Sequence, residues 1–597
     1  REKSAFSLAF HSRLWYDNRE LISSLMEAMM YINERVSIPN DKGHIIKKLI
    51  KGTTYVYYKL SRTYDPEKKY TVPKSTSIGK VCPDDSTRMF PNERFLLYYP
   101  EEIAQMSESR QQDNSRSSCL KSGAYLVLQK IIAEYHLGEL LSEVLGEDSK
   151  LFLDLVIYSI ITEGNVAQYY PDYAYDHPLK TEKMKIYSDS KVSRLLKSIS
   201  KDQALQFLEL WNKQQDHREK IYISYDSTNK ECQAGDIEMV EFGHSKEGST
   251  KSIFNYSVAY DKDNKLPLFY EAYAGSVVDI SQLKCMVDKS KSYGYQRVGF
   301  ILDRGYFSQS NLNYLDENKY DFCIMMKGKK KLVHRFVKQV KGTFEEDWNC
   351  RVHDFGVSGT TISDKLFPGD TKKRYFHIYY DEHKRTNERE KLEAKLREMM
   401  DYLEKQEGTI DYEFPKKYAK YFTPIYCQTK EGNRFMMVEP KADVINEEIS
   451  YCGYFVLVTS EKMTAAEALK LYKSRDDSEK LFRGDKSYLG NNALRVYGPE
   501  SASSKIFVEF IALIVRNRFY NLLKDQKKER GKKSNYMTVP AAIRELEKIE
   551  ALKQSDGIYR LDHAVTATQK EILKAFDLTA VDMKQQIQEF HKSMSKA

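Results

Sequence analysis

Between residues 216 and 330 the apolar positions follow two spacings, one typical of β-strands and one typical of helices. Short runs rich in β-branched and aromatic residues predict three strands, after which a helix, a strand, a second helix and a last strand follow. The first and fourth strand runs end directly before an acid, Asp226 and Asp303. The predicted strands cover residues 221–225, 253–260, 268–273, 298–302 and 322–326, and the predicted helices cover 279–292 and 309–318.

Past residue 330 this pattern stops, and it returns only near residue 454. The residues between carry mixed short strands and one charged helix near 386–406, which is typical of a long insertion between core elements. The core resumes with a strand at 454–459 and a helix that Thr464 and Glu467 begin as a capping box. This order of elements is that of the ribonuclease-H-like fold, so we predict an α/β protein whose ribonuclease-H-like catalytic core is interrupted by a β-rich insertion.

Helical patterns flank this core on both sides, and a β-hairpin pattern precedes them. Two β-prone runs separated by the turn Asp65-Pro66-Glu67 predict the hairpin. We therefore predict an N-terminal hairpin-containing region at 1–115 that is a candidate for DNA binding, a helical DNA-binding domain at 120–215, the catalytic core at 216–330 and 451–500, the β-rich insertion at 331–450, and a helical C-terminal region at 501–597.

Composition narrows the class of protein only mildly. A chain of 597 residues needs several hydrophobic cores. The formal net charge of +8 is weak evidence for a polyanionic partner, but basic clusters at 327–341 and 524–533 suit phosphate contacts unless they are merely solvated loops. No apolar run is long enough to span a membrane, no secretory signal is visible, and the eight cysteines are scattered, so we expect a cytoplasmic protein, nucleoid-associated in a bacterium, with reduced and buried cysteines.

A further helix is predicted to begin at Ser188-Asp189-Ser190, which are good N-cap residues. Lys191, Arg194 and Lys197 follow at intervals of three and therefore share one side of that helix. This arrangement suits a DNA-reading helix, and it equally suits an ordinary solvated face.

The two acids after strand runs are candidates for metal chemistry. Cleavage of a phosphodiester needs an activated water and a stabilised leaving oxygen, which two Mg²⁺ ions about 4 Å apart can provide. Mg²⁺ prefers hard oxygen ligands, so the protein has to supply clustered carboxylates. If the strands before Asp226 and Asp303 are neighbours, both side chains project at one place, although an Asp after a strand is more often only a turn former.

The helix that begins at Thr464 carries the third acid. At 100° per residue, Tyr472, Arg475, Glu479 and Lys486 fall within an arc of about 60°. A carboxylate on that face can hold metal, while the cations and the phenol can grip phosphates, although salt-bridged helices also align charges. A helix end at Gly484 would move Lys486 off this face.

The spacing Tyr472-x2-Arg475-x3-Glu479-x6-Lys486 resembles the tyrosine-arginine-glutamate-lysine signature of the IS-four superfamily of bacterial insertion-sequence transposases. Tyr225-Asp226-Ser227-Thr228 resembles the first acidic motif of that family, and residues 302–307, Leu-Asp-Arg-Gly-Tyr-Phe, resemble the second. The likeness covers residues from about 120 to 580, and the four-residue signature together with both acidic motifs is specific.

The resemblance implies a cut-and-paste DNA transposase in which Asp226, Asp303 and Glu479 bind two Mg²⁺ ions, for which Mn²⁺ can substitute. It implies that Tyr472, Arg475 and Lys486 contact DNA near the cut, and that a homodimer holds the two terminal inverted repeats before joining to target DNA. It also implies that hairpin ends often form, which can use a flipped base stacked on an aromatic. Trp348 is a candidate for that role against a buried structural role, and Lys246 and Arg304 are candidate phosphate contacts against surface ion pairs.

Three other functions remain open at this point. The chain would be a domesticated DNA-binding protein if the acids served no catalysis, or a nuclease of the same fold if it cut without joining. A metal-free hydrolase such as a glycosidase would use Asp226 and Glu479 as its carboxylate pair, but the basic clusters and the helix signature disfavour it.

Overall fold

The computed structural model describes most of the chain from residue 35 to residue 595. Within that span the description leaves out residues 42, 51, 66–69, 100–115, 216–218, 233, 235–236, 243–250, 278, 327–329, 368, 371, 491, 531–536 and 555–556. The chain divides into two compact units, one made of residues 1–126, 171–186 and 544–597 and the other of residues 127–170 and 187–543.

The first unit contains a five-stranded antiparallel sheet that includes the predicted hairpin. The strands are β1 (Val36–Ser37), β2 (Ile45–Ile50), β3 (Thr53–Asp65), β4 (Tyr70–Val81) and β5 (Arg88–Pro91), in the spatial order β1-β5-β4-β3-β2. Asp65 pairs with Tyr70, so the two long strands meet where the sequence predicted the turn. The helix α1 (Glu93–Tyr98) packs its buried Phe95 against Val56 and Ile78.

A second small sheet in this unit joins residues that are far apart in the sequence. Strand β6 (Cys119–Lys121) pairs with β19 (Glu550–Lys553), which also pairs with β20 (Tyr559–Leu561). Buried His177 bonds to Glu547 through its Nε2, at 2.7 Å. These contacts tie the segments around residues 120 and 177 to the C-terminal segment in one unit. Local patterns cannot predict this arrangement because the partners lie 370 or more residues apart.

The second unit is built around one large mixed sheet of ten strands. Its central strands are β7 (Ile221–Cys232), β8 (Ile253–Asp261), β9 (Leu266–Ala274), β10 (Val298–Leu302) and β11 (Asp321–Met325), in the order β9-β8-β7-β10-β11. The first three form an antiparallel meander, whereas β10 lies parallel to both β7 and β11. The prediction of an α/β arrangement with these five strands is confirmed, with most bounds within two residues.

The segment predicted as an insertion extends this sheet and adds a module with its own core. The strands β12 (Arg351–Val352), β13 (Val357–Asp364) and β14 (Arg374–Tyr380) continue the sheet through β17 (Tyr454–Thr459), which pairs antiparallel with β11. The module consists of a long helix, the antiparallel pair β15 (Phe422–Thr429) and β16 (Gly432–Pro440), and a short helix. Leu392, Leu396, Met399 and Leu403 of the long helix recur at helical spacing and contribute to its core.

One short strand and the helices of both units have the following bounds. A short strand β18 (Ala493–Leu494) pairs with the far end of β7. The helices are α2 (Gly123–Glu134), α3 (Leu137–Leu145), α4 (Asp148–Thr162), α5 (Tyr170–Asp176), α6 (Asp189–Ser198), α7 (Lys201–Lys213), α8 (Asp279–Ser292), α9 (Gln309–Glu317), α10 (Lys330–Val340), α11 (Glu382–Glu404), α12 (Ala442–Ser450), α13 (Ala465–Lys473), α14 (Asp476–Tyr488), α15 (Pro499–Arg530), α16 (Val539–Leu546), α17 (Ala567–Lys574) and α18 (Ala580–Ser595).

The basic clusters and the cysteines differ in part from their predictions. The cluster at 327–341 is mainly the helix α10 rather than a loop, and part of the second cluster forms the end of α15, which runs to Arg530. All eight cysteines are free, as predicted, but Cys285 and Cys427 are exposed, so the prediction that all are buried is wrong. In the described part of the chain, every helix is too short or too polar to cross a lipid bilayer.

Candidate active site

The first two acids lie side by side because their strands are parallel neighbours. Tyr225 of β7 is in register with Leu302 of β10, so the residues that follow them, Asp226 and Asp303, are adjacent across the sheet. This confirms the prediction that both side chains project at one place. The predicted strand end at Asp226 is wrong, because β7 continues to Cys232 and places Asp226 within the strand rather than in a turn.

Asp303 combines two roles that the sequence analysis had set against each other. It follows directly after β10 and begins a 3-10 turn at Arg304–Tyr306, in which its Oδ2 accepts a hydrogen bond from the backbone N–H of Gly305 at 3.2 Å. Its side chain is nevertheless one-third exposed and contacts Arg475. The turn therefore fixes the carboxylate while leaving its other oxygen directed at the site.

The third acid comes from a pair of helices rather than from the single helix that was predicted. The capping box of Thr464 and Glu467 is present and begins α13. The helical ladder is interrupted at Ser474 and Arg475, and α14 begins at Asp476, with Arg475 in αR backbone geometry as its N-cap. Because the backbone stays near helical angles through the break, Arg475 and Glu479 still meet one turn apart.

One guanidinium contacts all three acids. Arg475 Nη2 lies 2.6 Å from Glu479 Oε1 and 3.5 Å from Asp303 Oδ1, and Nη1 lies 3.6 Å from Asp226 Oδ2. Burial lowers the pKa of Arg475, but the charges of Asp303 and Asp226 more than offset this and raise it. Three carboxylates from three separate elements therefore converge on one cation.

The three carboxylates differ in their exposure to solvent. The side chain of Asp226 is 17% exposed, that of Asp303 32% and that of Glu479 48%, whereas that of Arg475 is 15% exposed. The site is consequently closed on the side of the sheet and open on the side of α14. Within the described residues no three carboxylate, imidazole or thiolate groups stand close enough to hold one metal ion. In this site the guanidinium of Arg475 contacts all three carboxylates.

Tyr472 lies beneath the arginine instead of facing solvent. Its ring is buried, 5.7 Å from the guanidinium carbon of Arg475, and it belongs to the core cluster that packs α13 against the sheet. Burial raises the pKa of the Tyr472 phenol. Tyr472, Arg475 and Glu479 thus share one face of the helix pair, as predicted, and the phenol is its buried member.

Two buried contacts between β7 and α14 were not foreseen from the sequence. The hydroxyls of Ser224 and Ser478 are 3.0 Å apart, and Ser478 directly precedes Glu479. Further along, Lys230 Nζ lies 2.7 Å from Asp485 Oδ2 and 2.9 Å from Glu509 Oε2, with all three side chains almost fully buried. Ser224 and Lys230 fall on the same side of β7 as Asp226, so a period-two count from Asp226 marks both as candidates to contact the helix.

The last member of the helix signature lies in the final turn of α14. Gly484 does not end that helix, which continues to Tyr488. The absence of a side chain at Gly484 instead admits Arg516 of α15, whose Nη1 would lie 2.6 Å from an added Cβ. Lys486 therefore stays on a helix, and its contact with DNA stays a prediction.

The other predicted DNA contacts are distributed over the surface. Arg304 is exposed next to Asp303. Ser188 caps α6 as predicted, and on that helix Lys191 lies 3.7 Å from Asp148, while Arg194 is exposed and bonds to the carbonyl of Ser190. Lys246 lies outside the described residues.

Trp348 is exposed, so the alternative of a buried structural role is wrong. It begins a 3-10 turn before β12, its surface is 76% accessible, and its ring lies 4.6 Å from that of His353. An exposed indole leaves apolar surface in contact with water and adds no packing to a core. Its surface is therefore accessible for stacking, and that role remains a prediction.

Residues 220–515 match a family model described as the transposase DDE domain. No curated protein matches the chain. Among solved structures, a cryo-EM structure of a piggyBac transposase synaptic complex with hairpin DNA aligns over 70% of each chain with 10% identity and a TM-score of 0.28, a likeness too low to inform the fold.

Proposed function

We propose that Asp226, Asp303 and Glu479 form the metal-binding catalytic triad of a DNA transposase. The premise is that the domain at residues 220–515 makes this chain a DNA transposase. The observation that carries the proposal is the convergence of these three acids on Arg475. In this proposal the protein cleaves the ends of its element and joins them to target DNA. It is a member of the IS-four superfamily, on the strength of the tyrosine-arginine-glutamate-lysine signature.

The three side chains fit a divalent cation by their chemistry. Carboxylate oxygens are the ligands that Mg²⁺ and Mn²⁺ prefer, and here they already neutralise a cationic group. Bound as a pair, Mg²⁺ ions would activate the attacking water or 3′-hydroxyl and stabilise the leaving oxygen. The fixed position of Asp226 within β7 and of Asp303 at its turn suits the precise placement that such chemistry needs.

The cationic side chains around the triad are proposed to hold the DNA. Arg475, Lys486 and Arg304 would contact phosphates near the cut, since guanidinium groups bind phosphate in a bidentate manner and ammonium groups bind it as point charges. Lys191 and Arg194 of α6 would contact DNA further away, as would Lys246. Tyr472 would support Arg475 from below rather than contact DNA itself, because its ring is buried.

We further propose a ribonuclease-H-like core and hairpin chemistry at the transposon end. The strand order β9-β8-β7-β10-β11, with only the last three parallel, supports the former. The exposed indole of Trp348 supports the latter, since a flipped base needs an aromatic surface on which to stack. A homodimer holding both ends, and a cytoplasmic, nucleoid-associated location in a bacterium, complete the proposal.

The test is incubation of the protein with the end DNA of its element and Mg²⁺, with products separated on a denaturing gel. Asp226→Asn, Asp303→Asn and Glu479→Gln are each expected to abolish nicking while binding of the end DNA survives. Asp477→Asn is the matched control: it neutralises an acid on the same helix that pairs with Lys524 and Lys480, so cleavage should persist.

The products separate the other functions. Nicks without joined strands would indicate a nuclease, and binding without any nick would indicate a DNA-binding protein that has lost catalysis. Metal-dependent cleavage retained by any one of the three variants would remove that residue from the triad.

A further inference from the structure

The guanidinium of Arg475 contacts all three carboxylates that would hold a metal ion. Mg²⁺ requires oxygen ligands at about 2.0–2.1 Å in near-octahedral geometry. With Arg475 between them at 2.6, 3.5 and 3.6 Å, the oxygens of Glu479, Asp303 and Asp226 are held apart around a larger, planar cation. The guanidinium and a metal ion therefore compete for the same carboxylates, and their like charges oppose simultaneous binding.

The arginine is held by charge and is not fully satisfied there. Among the described residues, Arg475 Nε is a buried donor without a hydrogen-bond acceptor. A buried unsatisfied donor costs free energy that the contacts with the acids offset. Arg475 also lies at the break between α13 and α14, and its long side chain can leave the acids by rotation about its own bonds, with no change in the sheet.

We propose that Arg475 closes the metal site in the free transposase, and that a DNA phosphate opens it by drawing the guanidinium away from the three carboxylates. This rests on the proposed triad and adds that the binding of DNA and the binding of metal are coupled. The open side of the site, where Glu479 is half exposed, is the side from which a phosphate would approach. A phosphate binds a guanidinium in a bidentate manner, so it competes directly with the acids for Arg475.

Thermodynamic linkage makes the proposal measurable. If DNA removes the competitor of the metal, DNA must raise metal affinity, and metal must raise DNA affinity by the same factor. Such coupling commonly amounts to about 5- to 150-fold in affinity. In the free protein the acids would remain neutralised by their own arginine, so metal would load mainly after an end has been captured.

The experiment measures Mn²⁺ binding by the loss of the free-ion electron paramagnetic resonance signal, without reference to cleavage. Full-length protein is titrated alone and with a duplex carrying the terminal repeat, and the duplex alone gives the background. For the wild type we expect DNA to tighten Mn²⁺ binding at least about tenfold. For Arg475→Gln we expect the free protein to bind Mn²⁺ about tenfold more tightly than the wild type, with little further effect of DNA.

Two variants make the comparison specific. Lys480→Gln removes a positive charge beside Glu479 that pairs with Asp477 instead of the triad, so it should raise Mn²⁺ affinity much less. Arg475→Lys keeps the charge but replaces the planar fork with a single ammonium group, which cannot contact three acids equally. It should give an intermediate affinity, and it serves as the test if Arg475→Gln fails to fold, as judged by thermal melting.

The possible results distinguish this proposal from the proposed function. Mn²⁺ binding by Arg475→Gln that is no tighter than that of the wild type, or no tighter than that of Lys480→Gln, overturns the closing role of Arg475. Asp226→Asn or Glu479→Gln should abolish the tight binding in either background. If they leave it unchanged, the triad itself is wrong.

Discussion

Replacement of Lys230 by methionine tests whether the buried ion cluster holds α14 against the sheet. Lys230 is fully buried on β7, with Asp485 of α14 at 2.7 Å, Glu509 of α15 at 2.9 Å and the ring of Tyr256 at 4.3 Å. Burial lowers the pKa of Lys230, but the charges of Asp485 and Glu509 more than offset this and raise it, so the side chain remains charged.

The expected loss of stability follows from the two buried acids that the substitution would leave without their cation. Removal of one partner from a buried ion pair typically costs about 3–5 kcal/mol, because it leaves an uncompensated buried charge. Lys505, whose pKa burial lowers to about 8, is the remaining cation near Glu509 and compensates only in part. For a unit of about 400 residues with an unfolding entropy of about 2.1 cal/mol/K per residue, this corresponds to a fall in Tm of roughly 4–6 °C.

Differential scanning calorimetry measures this shift against a matched control. Lys251→Met removes another lysine that pairs with an acid of β7, Glu231 at 2.8 Å, but its side chain is half exposed. Exposed pairs contribute about 0–1 kcal/mol, so its Tm should change by about 1 °C or less. Equal shifts for the two variants would refute the reasoning.

A second comparison tests the cause of the shift. The triple variant Lys230→Met/Asp485→Asn/Glu509→Gln also neutralises the two acids that have lost their cation. It should recover part of the lost stability, because the uncompensated charges are gone. The single variant should also cleave more slowly than Lys251→Met, since α14 carries Glu479 as well as Asp485. A triple variant less stable than Lys230→Met would show that the stranded charges are not the source of the loss.

Two further predictions concern an exposed indole and a buried imidazole. Trp348→Ala should leave the free energy of unfolding within about 0.5 kcal/mol of the wild type while reducing hairpin products on a denaturing gel, and an unchanged hairpin yield would exclude the stacking role. By contrast, Trp211→Ala removes a buried indole bonded to the carbonyl of Pro267 and should lower the free energy of unfolding by about 3–5 kcal/mol. Burial lowers the pKa of His177, but its bonds to Asp176 and Glu547 more than offset this and raise it to about 9, so protonated His177 should contribute roughly 3 kcal/mol of stability below pH 6.5 that disappears as the pH rises through 9. The Tm of the wild type should therefore fall across that pH range and that of His177→Gln should fall less, and an equal pH dependence of Tm in both proteins would contradict this.

The convergence of Asp226, Asp303 and Glu479 was predictable because each lies in a strong local pattern. The run before Asp303 is a buried strand, and Arg475 and Glu479 are one helical turn apart whether or not the ladder is interrupted between α13 and α14. The exposure of Trp348 could not be predicted, for a different reason. Exposure of one aromatic depends on how a segment folds over the sheet edge, which its neighbours in the sequence do not determine.

The contacts that position the three acids were not predictable, since the residues that form them are isolated in the sequence. A lysine in a strand such as Lys230 usually faces solvent, and only the tertiary fold brings Asp485 and Glu509 to it from two different helices. The same holds for His177, whose partner Glu547 lies 370 residues away. Patterns of period 2 and 3.6 describe single elements, whereas these clusters exist only where several elements meet.

The position of Glu479 is therefore set by the fold and not by a cation. Ser478, next to it, bonds to Ser224, and Asp485, less than two turns on, pairs with Lys230, so two buried contacts with one side of β7 flank the acid. Asp226 lies on that same strand between Ser224 and Lys230, and β10 carries Asp303 beside it in register. Since the sheet and its contacts with α14 fix all three acids without any metal, Arg475 is the member of the site that can move without disturbing the others. A change of cation at the acids then requires one side chain to rotate while the backbone that presents the carboxylates stays in place.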